Sequence, residues 1–304
     1  MMDLTVPFRP APMPFVLLLD EPVRYIRAHF RAIFPSVAVP VAVLSTLAAV
    51  VQAVAFQDAV SSEGAGQVEL WTPAVLSISL LLVILAVFAY AAGQVAALDA
   101  LAGRPVDMKR AWRFSLRPSV WGTLLLAGLA VVASFFACFL PVFIVAPALS
   151  FVLPVMAEEG VFGFAALSRS AALAFFSTES DLIGRLINSP IGKILVLMLV
   201  GTLISVLAGF LVALPFQLPM FVDFWRNALA GKEDAQAAMA RWIWFQVPAQ
   251  FLSSLVRTAI YLYTAFGIGL LFFDVRGRKE GADLRSEIEA LFPAPAPPAG
   301  APWP

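Results

Sequence analysis

The feature that most constrains this chain is a run of forty uncharged residues between Arg117 and Glu158. Further uncharged runs occupy residues 32–57, 70–98 and 194–222. A helix of about 20 apolar residues crosses a bilayer core of about 30 Å, and it satisfies its own backbone hydrogen bonds while doing so. Each run is long enough to form such a helix. The sequence therefore predicts an integral membrane protein.

The longest run predicts two membrane crossings rather than one. A single helix of this length would extend about 60 Å, twice the hydrocarbon thickness. Pro141, directly after Leu140, is the predicted hairpin point. Composition agrees, because hydrophobic residues make up 61% of the chain and charged residues only 13%, whereas a soluble domain has about 25% charged residues. A water-soluble core is excluded.

The placement of basic residues indicates the orientation in the membrane. They cluster in four places: Arg9, Arg24, Arg27 and Arg31; Arg104, Lys109, Arg110, Arg113 and Arg117; Arg169, Arg185 and Lys193; and Arg276, Arg278, Lys279 and Arg285. The segment 57–69 contains acidic residues and no basic one. The positive-inside rule places the clusters in the cytoplasm and this segment outside. All four clusters share one side only if residues 118–157 cross twice, and both termini are then cytoplasmic.

We therefore predict an all-α fold, a polytopic membrane helical bundle of about six transmembrane helices with amphipathic elbow helices on its cytoplasmic side. The predicted spans lie near residues 34–56, 72–98, 119–139, 141–157, 191–214 and 249–273. This membrane domain covers residues 20–285. A flexible segment, 1–19, precedes it, and a Pro-rich disordered tail, 286–304, follows it.

Each elbow helix is predicted from an apolar face that lies opposite a basic one. The three segments are 20–33, 107–117 and 161–176. In the first, the predicted apolar face consists of Val23, Ile26, Phe30 and Ile33. The bases expected to bind anionic lipid headgroups of the inner leaflet are Arg24, Arg27, Arg31, Lys109, Arg110 and Arg113, together with Arg276, Arg278 and Lys279 after the last span.

Two features inside the spans are candidates for function. Pro147 lies in the fourth span, where it removes a helix hydrogen bond and predicts a kink; a kink buried by neighbouring helices is favoured over a transport site. Arg257 is the charge that falls clearly inside a predicted span, and such a charge is a functional hypothesis by default. Three interpretations of Arg257 stay open at this point: snorkelling to the outer headgroups, a structural ion pair with Asp223, Glu233 or Asp234, and a role in transport or headgroup binding.

The sequence offers no catalytic constellation. It contains one histidine, His29, on a basic helix and one cysteine, Cys138, inside a predicted span. A Ser/His or Cys/His nucleophile pair and a structural zinc site are therefore not expected, and neither is a cofactor. We expect no enzyme. The formal net charge is zero, so no nucleic-acid partner is expected either.

Two motifs carry a resemblance to a known family. One is the segment 154–160 with 166–170, and the other is the segment 271–284, which begins Leu-Phe-Phe-Asp. Both resemble the bacterial polytopic proteins labelled as the glycerophosphoryl diester phosphodiesterase membrane domain. The resemblance implies a membrane module of a bacterial inner (cytoplasmic) membrane protein, without the soluble phosphodiesterase barrel that such a name suggests.

The two motifs also contain acidic residues for which we predict contacts. Asp274 and Glu280 are expected to pair with Arg169 or Arg185, which would tie the motifs together. Glu158 is adjacent to Glu159, so the two carboxylates are expected to point to different sides and to cap the elbow helix that begins near Gly160.

Taken together, these patterns favour a non-enzymatic membrane scaffold or accessory subunit. It would bind anionic lipids of the inner leaflet and a protein partner or a second copy of itself. The alternative is a transporter of a hydrophobic or lipidic small molecule, because only Gln52, Gln94 and scattered hydroxyl groups offer polar lining. That alternative requires a cavity within the bundle.

Overall fold

The computed structural model describes residues 13–61, 65–137, 141–176, 189–229 and 242–279. Within these residues the chain forms nine α-helices, one short 3-10 helix and no strand. The α-helices are α1 Phe15–Ser61, α2 Ala65–Leu101, α3 Met108–Ser115, α4 Pro118–Phe136, α5 Val142–Leu149, α6 Val152–Glu159, α7 Phe164–Ala174, α8 Pro190–Leu229 and α9 Gln246–Lys279. The 3-10 helix, Ile243–Phe245, directly precedes α9. The predicted all-α fold is confirmed.

Within the described parts of the chain, six helical segments are long and apolar enough to cross a membrane. They are Phe15–Asp58, Val75–Leu101, Pro118–Phe136, Val142–Glu159, Pro190–Leu229 and Ile243–Lys279. The prediction of about six membrane helices is confirmed. The long uncharged run is divided beside Pro141, because α4 ends at Phe136 and α5 begins at Val142. Cys138, Lys232, Arg241 and the tail 286–304 lie outside the described residues.

The first predicted elbow is not a separate helix. Its residues are the beginning of α1, which continues through Pro22, Pro35 and Pro40. Its predicted apolar face is also wrong in part, because Val23 and Phe30 are exposed. The side chains that pack into the bundle are instead Leu18, Tyr25 and Ile33.

α1 nevertheless changes direction along its length. Val37 of α1 and Leu262 of α9 both pack against Gly93 of α2. Tyr263, the next residue of α9, donates a hydrogen bond to the backbone oxygen of Leu19 in α1 (3.2 Å), so residues 37 and 19 of α1 both lie close to the same turn of α9. Residues 19 and 37 would lie about 27 Å apart in a straight helix. Pro35, which lies between them and lacks an N–H group, permits the bend.

The second and third elbows are short helices between membrane spans. α3 begins where the side chain of Asp107 accepts hydrogen bonds from the backbone N–H groups of Lys109 (2.9 Å) and Arg110 (3.3 Å). Asp107 is therefore a side-chain N-cap, which satisfies backbone N–H groups of the first turn of α3. α7 begins after Gly163. Its φ of 66° is a conformation that glycine adopts readily because it has no Cβ atom. The N–H group of Gly163 donates to Thr123 Oγ1 (2.7 Å), which attaches this turn to α4.

The fourth span is interrupted, but not at Pro147. Helices α5 and α6 are separated at Ser150 and Phe151. Pro154 explains this position, because a proline ring clashes with the carbonyl group four residues earlier, here that of Ser150. The hydroxyl group of Ser150 donates to the backbone oxygen of Pro147 (2.8 Å). The predicted kink therefore lies several residues further along the chain.

α9 is the central helix of the bundle. It packs against α1, α2 and α8, and 56% of its most apolar stretch is buried, against 28% or less in α1, α2, α4 and α8. Small residues allow the close approach of these helices. A Cβ atom on Gly267 would lie 2.6 Å from Leu197, and one on Gly269 would lie 2.6 Å from Leu101.

We predict that Gly267→Ala destabilises the bundle. The new methyl group would lie 2.6–3.4 Å from three side-chain atoms of Leu197, which is fully buried and would have to shift. Such overpacking costs about 1–3 kcal/mol. Thermal unfolding in detergent should show a lower Tm for Gly267→Ala. Gly128→Ala is the matched control, because a Cβ there meets nothing within 4 Å, and an equal loss in both variants would contradict this packing.

Candidate functional site

A group of ion pairs, which we call the charged clamp, closes one end of the bundle. Its members are Asp99, Arg104, Glu158, Glu159, Arg169 and Arg276. Asp99 is 1% exposed at the end of α2, and Arg104 follows it in the loop before α3. Arg104 Nε donates to Asp99 Oδ1 (2.8 Å), and its other two nitrogens bind both oxygens of Glu158. One guanidinium group thus links α2 to α6.

The electrostatics of this link favour the charged forms. The hydrogen bonds that Arg104 donates to Glu158, and then the charges of Glu158 and Asp99, raise the pKa of Arg104 above its ordinary value, although burial opposes the change. Arg110 of α3 adds a longer contact to Asp99 Oδ1 (3.4 Å) from an exposed position. The buried carboxylate of Asp99 thus has two guanidinium groups as counter-charges.

The second half of the clamp joins α6, α7 and α9. Glu159 accepts hydrogen bonds from Arg169 Nε (2.9 Å) and Nη2 (3.1 Å). Arg276 Nε lies 3.8 Å from Glu159 Oε1. Glu158 and Glu159 do point to different sides, as predicted. They do not cap α7, however, because they end α6 and the N-cap of α7 is Gly163 with no side-chain hydrogen bond.

The predicted pair of Asp274 with Arg169 is wrong. Asp274 instead binds Arg278 one turn further along α9 (2.9 Å), a spacing at which side chains on a helix meet. Arg276 of α9 instead contacts Glu159 at the end of α6, and Lys279 Nζ joins α9 to α7 by donating to the backbone oxygen of Ala172 (2.9 Å). The other predicted partners, Arg185 and Glu280, lie outside the described residues.

The predicted lipid-binding bases divide into two groups. Arg276 and Arg278 direct their guanidinium groups at carboxylates of the bundle, and the side chain of Arg278 is only 10% exposed. The other members are exposed: Arg24, Arg27, Arg31, Lys109, Arg110, Arg113 and Lys279. We call the end of the bundle that holds the charged clamp and α3 the basic end.

The opposite end of α9 carries aromatic residues and opens into two grooves. Trp244 Nε1 donates to Gln57 Oε1 of α1 (3.1 Å), and Trp242 Nε1 donates to Asp223 Oδ2 of α8 (2.8 Å). We call this the aromatic end, since tryptophans are enriched at membrane interfaces. From here a row of polar side chains runs along α9.

This row, which we call the polar track, consists of Gln246, Gln250, Ser253 and Arg257. Their spacing of four, three and four residues places them on one face of the helix. The track lines a groove of about 260 Å³ between α8 and α9, the Arg257 groove. Gln246 and Gln250 also line a second groove of about 370 Å³, which α1 and α2 close with Gln52 and Ser79 among its lining residues.

Arg257 lies at the deep end of the polar track with its side chain exposed. The predicted ion pair with Asp223 is wrong, because Asp223 binds Trp242 and no carboxylate among the described residues forms a salt bridge with Arg257. Glu233 and Asp234, the other predicted partners, lie outside the described residues.

Fold and sites together define a multi-pass helical membrane protein with a closed basic end and an open aromatic end. The comparisons with known proteins add no family to this class: no family model, no curated protein and no solved structure matches the chain. The resemblance to the glycerophosphoryl diester phosphodiesterase membrane domain therefore stays a prediction.

Sequence reasoning missed the centre of the charged clamp and the polar track. Asp99 ends an uncharged run, so its burial was not evident from its position. Its signal in the sequence is the run of small residues that precedes it in α2. Small residues allow close helix packing, and the structure buries them together with Asp99. The polar track has a clearer signal, since four polar residues recur at helical spacing in an apolar span.

We predict that Arg104 and Glu158 are energetically coupled. Arg104→Met and Glu158→Gln should each lower stability, and the double variant should lose less than the sum. We expect a coupling free energy of about 1–2 kcal/mol. A fully buried ion pair would give a larger value, but Arg104 is 36% exposed and solvent weakens the interaction. Denaturant unfolding of the four proteins in detergent gives this number.

The control for this cycle is Arg110→Gln. Arg110 contacts the same carboxylate at 3.4 Å, but its side chain is 56% exposed, so its loss should cost less than about 0.5 kcal/mol. Strictly additive losses for Arg104 and Glu158, or an equal cost for Arg110, would contradict the clamp.

Proposed function

We propose that this protein is a non-enzymatic scaffold or accessory subunit of the membrane, which binds anionic lipids and protein partners at its basic end. The observation that carries the proposal is that the charged side chains fall into two groups, one paired inside the bundle and one exposed. The carboxylates of the clamp are engaged by guanidinium groups inside the bundle, whereas a surplus of Lys and Arg side chains stays exposed around it.

This arrangement suits binding better than proton transfer. A general acid or base needs a carboxylate that can reach a substrate and exchange its proton near neutral pH. Asp99, Glu158 and Glu159 are instead engaged by the guanidinium groups of Arg104 and Arg169. An exposed base beside an anionic leaflet, in contrast, contributes about 1 kcal/mol to membrane attachment.

The positive-inside rule supports a cytoplasmic position for the basic end. On this proposal the clamp fixes α2, α3, α6, α7 and α9 relative to one another. A partner would then meet a rigid surface with fixed charges, which limits the entropy lost on binding.

The test is native mass spectrometry of the protein released from nanodiscs that contain phosphatidylglycerol and phosphatidylcholine. In the variant with Arg27, Arg31, Lys109 and Arg113 all changed to Gln, we expect the phosphatidylglycerol retained beyond the first bound molecule to fall at least tenfold, since each base contributes about 1 kcal/mol. The control is Arg226→Gln, an exposed base near the aromatic end. Unchanged phosphatidylglycerol retention in the four-base variant would refute the proposal.

A second candidate function is the transport of a hydrophobic or lipidic small molecule. The observation that favours it is the pair of grooves that share Gln246 and Gln250, because a transporter needs polar lining within its helices. In proteoliposomes, this function predicts that the protein accelerates transfer of a fluorescent phospholipid between leaflets and that Gln250→Leu slows it. A transfer rate equal to that of protein-free liposomes would exclude this candidate.

A further inference from the structure

Arg257 holds a positive charge well inside the membrane span of α9. It lies about 17 Å along the helix from Gln246 and about 29 Å from Arg276 at the basic end. A charge at such depth is costly unless it meets an anion or water. Among the described residues no carboxylate forms an ion pair with it, so the surroundings of the guanidinium group decide its role.

The wall opposite Arg257 is shaped around the guanidinium group. A Cβ atom on Gly209 of α8 would lie 3.2 Å from Arg257 Nε and 3.4 Å from Nη2. The distance to Nε is tighter than an ordinary van der Waals contact, and the distance to Nη2 is at its lower bound. The Ser253 hydroxyl donates to the backbone oxygen of Gly209 (3.3 Å) and holds the two helices together at this level. Glycine at this position thus lets the guanidinium group lie inside the groove.

The approach to Arg257 is polar and its flank is apolar. Gln217 of α8 faces Gln246 and Gln250 of α9 along the groove, and amide side chains of this kind donate hydrogen bonds to oxyanions. Val206 and Phe210 also line the groove, and they are 59% and 55% exposed on the outside of the bundle. A ligand that is charged at one end and apolar along its length matches both surfaces.

The volume of the groove fits a headgroup better than a whole lipid. At about 260 Å³ it lies just below the range of about 300–1,000 Å³ of pockets that enclose drug-sized ligands. The acyl chains must then lie outside the groove. The exposed apolar side chains of α8 continue beyond it with Leu203 and Leu207, and they provide a surface for such chains.

We propose that the Arg257 groove binds the oxyanion headgroup of a membrane amphiphile, with Arg257 as its ionic contact. Gln217 and Gln250 hydrogen-bond the headgroup, and Gly209 keeps the space for the guanidinium group. The acyl chains lie along the outer face of α8. This site is independent of the proposed function, since it lies in the half of the bundle that faces away from the basic end.

The test is titration of the purified protein in neutral detergent with phosphatidylglycerol, read by native mass spectrometry. Arg257→Gln should weaken the tightest binding event at least tenfold, because a charge-assisted hydrogen bond is removed. Arg257→Lys should retain most of the affinity. Gly209→Ala should weaken it as well, since its methyl group displaces the guanidinium group.

Arg113→Gln is the matched control, because it removes the same charge from an exposed position at the basic end. The four-base variant of the basic end should also keep this tightest site, so that failure of this proposal and failure of the proposed function are distinguishable. Circular dichroism of each variant checks that it folds. If Arg257→Gln does not fold, Gly209→Ala still tests the proposal.

Two results would overturn the proposal. One is equal phosphatidylglycerol affinity in the wild type, Arg257→Gln and Gly209→Ala. The other is competition by inorganic phosphate at the same concentration as the lipid, which would assign the site to a free anion instead of a headgroup. Retention of phosphatidylglycerol over phosphatidylcholine, lost only with changes in the groove, would support it.

Discussion

The buried carboxylate of Asp99 is the constraint on which the basic end depends. It is 1% exposed at the last turn of α2, and one of its oxygens, Oδ2, has no hydrogen-bond partner among the described residues. A carboxylate in this position needs a fixed cation nearby. Arg104 supplies it and at the same time binds Glu158. The turn from α2 to α3 and the end of α6 are therefore fixed by one guanidinium group.

This constraint makes the bundle asymmetric. At the basic end, ion pairs join five helices, and Gly269 of α9 packs tightly against Leu98 and Leu101 of α2. At the aromatic end, α9 separates two grooves and exposes a row of polar side chains to them. The strongest charge pairing thus lies at the closed end, whereas the open end holds Arg257, which forms no ion pair with a carboxylate among the described residues.

The sequence predicted the class of fold because membrane helices follow from length and hydrophobicity alone. It also predicted α3, whose start at Asp107 is a local N-cap. The sequence-based prediction failed where the structure depends on contacts between residues that are far apart in the chain. The partner of Arg169 is Glu159 rather than Asp274, because the bend of the α6–α7 turn at Gly160 brings Glu159 back over α7. The first elbow merges with α1 because Pro35 bends a helix here without ending it.

The most direct test of this asymmetry is the labelling of single cysteines by a membrane-impermeant thiol reagent, in a protein whose Cys138 is replaced by Ala. One cysteine replaces Gln250, which lines both grooves, and the other replaces Ala97, which is fully buried near the clamp. The account predicts that the cysteine at position 250 is modified rapidly in nanodiscs and that the cysteine at 97 is modified only after unfolding. Equal labelling of the two positions would contradict a bundle that is closed at one end and open at the other.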